Sequence, residues 1–337
     1  MALRSGLAAQ LGVAPETVYG TYVAGTSFAQ GSKYDIDKVK NTVVPAGITT
    51  GALGPLAAWR RVTTTGGKGT IEMSCLNKKM GPWLQALMGT TVTPVVQGAS
   101  IAYLQTHILA DPYGKSLSVQ LGVPDASATG VVQPYTATGV KVTDGEFTVE
   151  TAKEVIVKWG IDAKSYAGPA ETGTQTLAAA SIATTRPFVG TDASFKIGAT
   201  YGAETATTGV KKVSVKFDRG LAVDRNYLGA GGLKAEPFAE ALTKITGTIT
   251  ADLMDRTVFA DRFVNDTMFY MVIEIIGAVI ASAYFDTLRI TLPGCFLNGN
   301  SPRVDGVGVV SGDFPFEWNY DGTNLPKIEY ISTDVTI

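Results

Sequence analysis

Few residues in this chain have the type and spacing that chemistry requires, and each group can be tested against what its reaction would need. Gly66-Gly-Lys-Gly-Thr70 is the nearest thing to a phosphate loop, but the glycine spacing is wrong and Gly69 stands where Ser or Thr must follow the lysine. It is expected to be a turn leading into a strand at Thr70–Leu76. Gly229-Ala-Gly-Gly232 fails the dinucleotide pattern because Lys234 occupies the place of the third glycine. It reads as a loop tip. His107, the single histidine, alternates with Tyr103, Gln105 and Leu109 on one strand face and has no nucleophile elbow beside it, so it reads as structural. The acidic pairs Glu146/Glu150 and Asp313/Glu317 could do acid–base work. They recur in both halves of the chain, however, which points to a shared fold feature on a wet strand face. Asn265-Asp-Thr267 fits a glycosylation sequon without a secretion signal to make it meaningful. Cys75 and Cys295 are expected to be free, buried thiols. No enzyme, metal or cofactor is expected.

The elements that carry these residues are set by composition. The chain has 337 residues, is 45% hydrophobic and 17% charged, holds 38 glycines, and has a net charge of −2. That excludes a disordered chain and offers no electrostatic footprint for tight nucleic-acid binding. Ser100–Ala110, Ser116–Val123, Lys211–Phe217, Thr243–Leu253 and Thr287–Leu292 are rich in β-branched residues and read as strands. Lys78–Met88 and Leu253–Val264 have a helical period instead. Met268–Phe285 approaches the length of a membrane span, but Glu274 and the diluting Gly277, Ser282 and Tyr284 make it two buried strands. Met1–Gln10 lacks a signal-peptide core, so a soluble protein folding in a cytoplasm is expected.

Internal repetition is the stronger signal. Gly139–Glu150 aligns with Gly306–Glu317 through Gly139/Gly306, Gly145/Gly312, Phe147/Phe314 and Glu150/Glu317, with Val140/Val307 and Val142/Val309 between them, at an offset of 167. Ser116–Leu121 matches Thr287–Leu292 at 171, and Gly69-Thr-Ile71 matches Gly247-Thr-Ile249 at 178. Three matches in one order predict a tandem duplication: an arm over 1–27, a first domain over 28–165, a connector over 166–185 and a second domain over 186–337. Up to Gly168 there are 14 basic and 11 acidic residues, and 14 and 19 after it, so the halves carry +3 and −5. Opposite charges of this kind suit neighbours in an assembly.

Gly12–Thr21, reading Gly-Val-Ala-Pro-Glu-Thr-Val-Tyr-Gly-Thr, resembles the opening phrase of tail tube proteins of long-tailed bacteriophages. The likeness continues through Gly69–Gly89, Arg219–Val264, Leu288–Pro293 and Phe314–Glu317. It implies a mainly β fold with short flanking helices: two tandem tube-type β-sandwich or half-barrel domains, each with one helix. It also implies self-assembly into rings that stack as a hollow conduit for genome ejection. Three duplicated chains would make a pseudo-hexamer, six chains the alternative. The implied setting is a virion tail assembled in the host cytoplasm. Its partners would be further copies, tail-tip, tape-measure and terminator proteins, and DNA in passage without sequence-specific binding, with no membrane.

Within that frame the polar alternations Thr70, Glu72, Ser74 and Thr246, Thr248, Thr250 are expected to face the lumen. The long segments Thr49–Gly66 and Arg219–Glu240 read as functional loops. In the second, Asp224, Arg225, Lys234 and Glu236 are candidates for contact with the next ring, as is the arm Ala2–Tyr19. The alternatives are a tail terminator, the tube of a secretion or contractile injection system, and then a surface or adhesion β-protein.

Overall fold

The computed structural model describes residues 5–29, 31–45, 47, 52–126, 130–181, 185–299 and 310–337. It is mainly β, with seventeen strands in one hydrogen-bonded system and two short helices. The first half contains β1 (Gln10–Pro15), β2 (Ser27–Ala29), β3 (Gly31–Val43), β4 (Arg61–Ser74), α1 (Gly81–Met88), β5 (Val95–Val96), β6 (Tyr103–Ile108), β7 (Leu117–Pro124), β8 (Val132–Glu150) and β9 (Ile156–Ala167). The second contains β10 (Ala193–Gly198), β11 (Thr205–Ala206), β12 (Val210–Asp218), β13 (Lys244–Asp252), α2 (Ala260–Val264), β14 (Phe269–Ala281), β15 (Tyr284–Leu297), β16 (Ser311–Trp318) and β17 (Lys327–Ser332). No helix among the described residues is long and apolar enough to cross a membrane.

Both halves use the same antiparallel order. In the first it runs β2–β1–β7–β8–β9–β4–β3. In the second, β11–β10–β14–β15 is followed by β16 and β17 in place of one long strand, then β13–β12. The lower half of β8, Asp144–Glu150, also pairs with β12, so the sheet runs unbroken from one half to the other. β17 reaches back to β6 at the opposite side. One apolar core results, from Leu11 through Trp159 to Tyr330.

Local sequence explains these elements. α1 opens with Pro82 in its first turn and stops at Gly89, whose φ of 88° only glycine adopts freely. Seven of its eight residues are buried, and Trp83 stacks on Trp159 of β9 with centroids 5.6 Å apart. The second helix starts later than its period suggests, because Asp255 accepts from the Thr257 amide and holds the chain in turns before Ala260. Met268–Phe285 is β14 and the start of β15, turning at Ser282, where φ is 51°. Only Phe269–Ile275 is buried, however, and Ile276, Val279 and Phe285 are exposed where the hairpin runs beyond the core. Gly66–Gly69 is not a turn: it lies inside β4, whose ladder to β3 begins at Arg61. Glycine is needed there because a Cβ on Gly69 would come within 2.0 Å of the Asp35 carbonyl oxygen of β3.

Candidate functional site: the open face of the shared sheet

Seven strands are successive neighbours across the molecule, in the order β3–β4–β9–β8–β12–β13–β16. Strand alternation turns Ile71, Met73 and Cys75 into the core and leaves Thr70, Glu72 and Ser74 on the other face. In β13, Ile245, Ile249 and Ala251 are buried, while Thr246, Thr248 and Thr250 share the opposite face. Pairing registers then define a row that crosses every strand: Lys33, Glu72, Lys158, Glu146, Lys216, Thr246, Glu317. Charge alternates along it and sums to zero. At such exposed positions each neighbouring pair contributes no more than about 1 kcal/mol, so the row shapes the surface potential more than the stability.

The loop between β12 and β13 lies against the first half. Lys234 Nζ is 2.5 Å from Asp162 Oδ1, and Lys141 Nζ is 2.7 Å from Glu236 Oε1. Lys141 also donates to the Pro112 carbonyl at 2.6 Å, and Glu236 accepts from the Gly114 amide at 2.7 Å. Arg225 donates to the Glu236 carbonyl oxygen and lies 4.3 Å over the Phe238 ring. Burial lowers the Lys141 pKa against the pull of Glu236, and raises that of Asp162 against Lys234. Thus Arg225, Lys234 and Glu236 make contacts within the chain. Asp224 and the tip with Tyr227 and Leu228 stay exposed, Leu228 fully so. Arg219, also buried, donates to the Ala110 carbonyl oxygen, and desolvation lowers its pKa to about 10.

The arm is anchored by Glu16. Its carboxylate accepts from Gly20 N, Ser116 Oγ, Ser118 Oγ and Gly139 N at 2.7–2.8 Å. Gly139 has a φ of 62°, and its amide closes that set between β7 and β8. Sequence reasoning overlooked Glu16, Lys141 and Asp162, since only the fold brings Ser116 and Ser118, Glu236, and Lys234 to them.

The repeat-defining residues fall into place unequally. Gly145 lets Leu87 of α1 approach β8; a Cβ there would meet Leu87 Cδ2 at 2.9 Å. Phe147 packs edge-on to Trp159 at 5.7 Å and to Phe217 of the second half at 6.1 Å. Glu150 faces Lys212 across β8–β12 and pairs with Lys153 at 2.7 Å. Gly312 and Glu317 lie on β16, and Phe314 stacks on Phe259 at 4.7 Å; Gly306, with Val307 and Val309, lies outside the described residues. The pairing order matches β16 with β9, because these strands flank β13 and β4 respectively, whereas the offset of 167 matches it with β8. Likewise β14, rather than β15, holds the place of β7. Only the offset of 178 agrees with the registers, and there Gly247 repeats the role of Gly69: its Cβ would lie 2.0 Å from the Ser214 carbonyl oxygen.

Both cysteines are free and buried, and burial pushes the Cys75 thiol up to about 12. His107 is buried, and desolvation holds its pKa down at about 3. Among the described residues no three His, Cys, Asp or Glu side chains converge to hold a metal. An open cleft of about 370 Å³ between the end of β8, β10 and β12 has Lys211 and Lys212 as its titratable lining.

Two halves with one strand order are joined through β8–β12 and β6–β17, and polar side chains are spread along one sheet face. Residues 6–319 match the family described as phage tail tube protein, and the chain belongs to that family. Virion tail tube proteins of bacteriophages are thus its class. No curated protein matches the sequence.

Proposed function

We propose that this chain self-assembles into rings that stack into the tail tube, a hollow conduit for the ejected genome, with three chains per ring acting as a pseudo-hexamer. The observation that carries this reading is the β8–β12 pairing. Two halves with one strand order are already joined edge to edge, and β3, which holds in the first half the place of β12 in the second, pairs with β4 alone among the described residues. An edge of 13 residues left unpaired invites another strand. Further copies joined in the same way continue the sheet, and closure removes every edge.

On this reading the domains are 28–165 and 186–337, joined by 166–185. Thr70, Glu72, Ser74, Thr246, Thr248 and Thr250 face the bore. The self-cancelling row on that face suits DNA in transit, since a wall of cations would hold phosphates. The exposed Tyr227–Leu228 tip of the second-half loop is free to meet the next ring, while Arg225, Lys234 and Glu236 hold the base of that loop to its own chain. Tail-tip, tape-measure and terminator proteins complete the partner set, and assembly takes place in the host cytoplasm.

Negative-stain microscopy with mass photometry, on concentrated and dilute protein, tests this. Hollow tubes or rings of three chains are expected. Rings of six would keep the conduit and remove the pseudo-hexamer, and chains that stay single at every concentration would count against self-assembly. Shortening Leu221–Pro237 should leave soluble subunits that do not stack; tubes of normal length would remove the loop from the contact.

A further inference from the structure

Among the described residues only two ion pairs, Lys234–Asp162 and Lys141–Glu236, have both side chains at 12% exposure or less. They are neighbours. Lys141 faces Asp162 across β8–β9, and Lys234 and Glu236 stand close together on the β12–β13 loop, so two amines and two carboxyls share one buried place. The pairs differ in how fully they are satisfied. Lys141 also donates to the Pro112 carbonyl, and Glu236 accepts from the Gly114 amide. Asp162 is the sole partner of Lys234 Nζ among the described residues, and its second oxygen, Oδ2, is buried without a hydrogen bond. Burial, helped by Asp224, raises the Asp162 pKa against the pull of Lys234 and Lys68, which favours the uncharged acid. An ion pair left incomplete at that depth holds a loop at a cost.

The surroundings fix the amine against this carboxyl. The Thr65 amide of β4 donates to the Gly232 carbonyl of the loop at 3.0 Å. Gly66 makes room for the Lys234 stem, since a Cβ there would lie 3.3 Å from Lys234 Cε. Nζ is thereby held 2.5 Å from Oδ1. Two reacting groups kept at contact distance reach effective concentrations of about 10⁵ M or more. The matching place in the second half is open: Glu317 faces Thr246 as Asp162 faces Lys68, yet it is exposed and without an ion pair among the described residues.

We infer that Lys234 and Asp162 condense into an amide, a covalent strap that ties the second-half loop to β9 of the first half. The Nζ–Cγ bond forms and one Cγ–O bond breaks. Two of the three ammonium protons leave with that oxygen as water, and nothing is oxidised or reduced. Both charges vanish from the interior, and burial keeps out the water that would hydrolyse the new bond. The test is intact-mass spectrometry of the full chain under denaturing conditions, freshly purified and after prolonged incubation. The parent is expected to be lighter than its sequence by one water molecule, and digestion should yield a branched peptide joining Lys234 to Asp162. Lys234→Arg keeps the charge but cannot form the amide, so it should have its full mass, as should Asp162→Ala; circular dichroism verifies that each is folded. A folded parent that keeps its full mass after incubation overturns the strap. So does a loss of water that persists in Lys234→Arg or maps to other residues. Tubes built from a parent of full mass would remove the strap alone and leave the ring reading standing.

Discussion

The two halves share a strand order but not the quality of their packing. In the first, Trp83 of a nearly fully buried α1 stacks on Trp159, and β9 runs 12 residues without a break. In the second, Phe259 stacks on Phe314 at the matching place, α2 buries none of its five residues, and the strand is divided into β16 and β17. The common plan therefore resides in a few contacts: an aromatic pair between the helix region and the sheet, and a glycine under the neighbouring carbonyl. The remainder is free to diverge. The first half has a firm core and a covered charge site, and the second has smaller rings and an open site.

Core truncation should separate the halves most. Trp159→Ala is expected to cost about 4 kcal/mol and Phe314→Ala about 3 kcal/mol in urea melts of the dilute chain. Equal losses would erase the contrast in packing. The charge sites come next: Glu236→Ala strands Lys141 in a buried place and should cost about 3 kcal/mol, whereas Glu317→Ala should stay within about 0.5 kcal/mol. A large loss at Glu317 in the isolated chain would mean that it is already covered.

A pH series addresses the seam where β6 meets β17. His107, facing Ile328 there, stays neutral in the fold down to about 3, while the unfolded chain protonates near 6.5. The unfolded state thus binds the extra proton, and stability falls as pH drops through this window, by about 1.4 kcal/mol per unit below 6.5 from this group. His107→Leu should flatten that slope relative to the parent; an unchanged slope would show that the ring is already hydrated. The smallest effects belong to the open face, where Thr70→Val and Thr246→Val should each change stability by less than about 0.5 kcal/mol.

Much of the plan was legible in the sequence, and the errors have a common cause. The mainly β composition, α1, the strand pair in Met268–Phe285 and the polar alternations all follow from period and residue type. Gly69-Thr-Ile71 and Gly247-Thr-Ile249 align in register because a steric demand fixes their glycines. Ser116–Leu121 and Gly139–Glu150 matched strands adjacent to those that hold the same place in the pairing order, since alternating Val, Thr and Gly satisfy any half-buried strand equally well. Gly66–Gly69 looked like a turn because close approach between strands and a reversal of the chain call for the same residue. The Glu16, Lys141 and Asp162 contacts had little local signal: Glu16 has Gly20 nearby, but Ser116, Glu236 and Lys234, which complete the three sets, lie 72 or more residues away.

β8 holds β7 along its upper part and β12 along its lower part, with β9 on its other side. A pull applied along its 19 residues therefore loads many ladder hydrogen bonds at once, in shear, instead of opening them one after another. The seam between the halves is a rivet in the mechanical sense, and the chain should yield at its loops and at divided strands such as β16 and β17 before its two halves part.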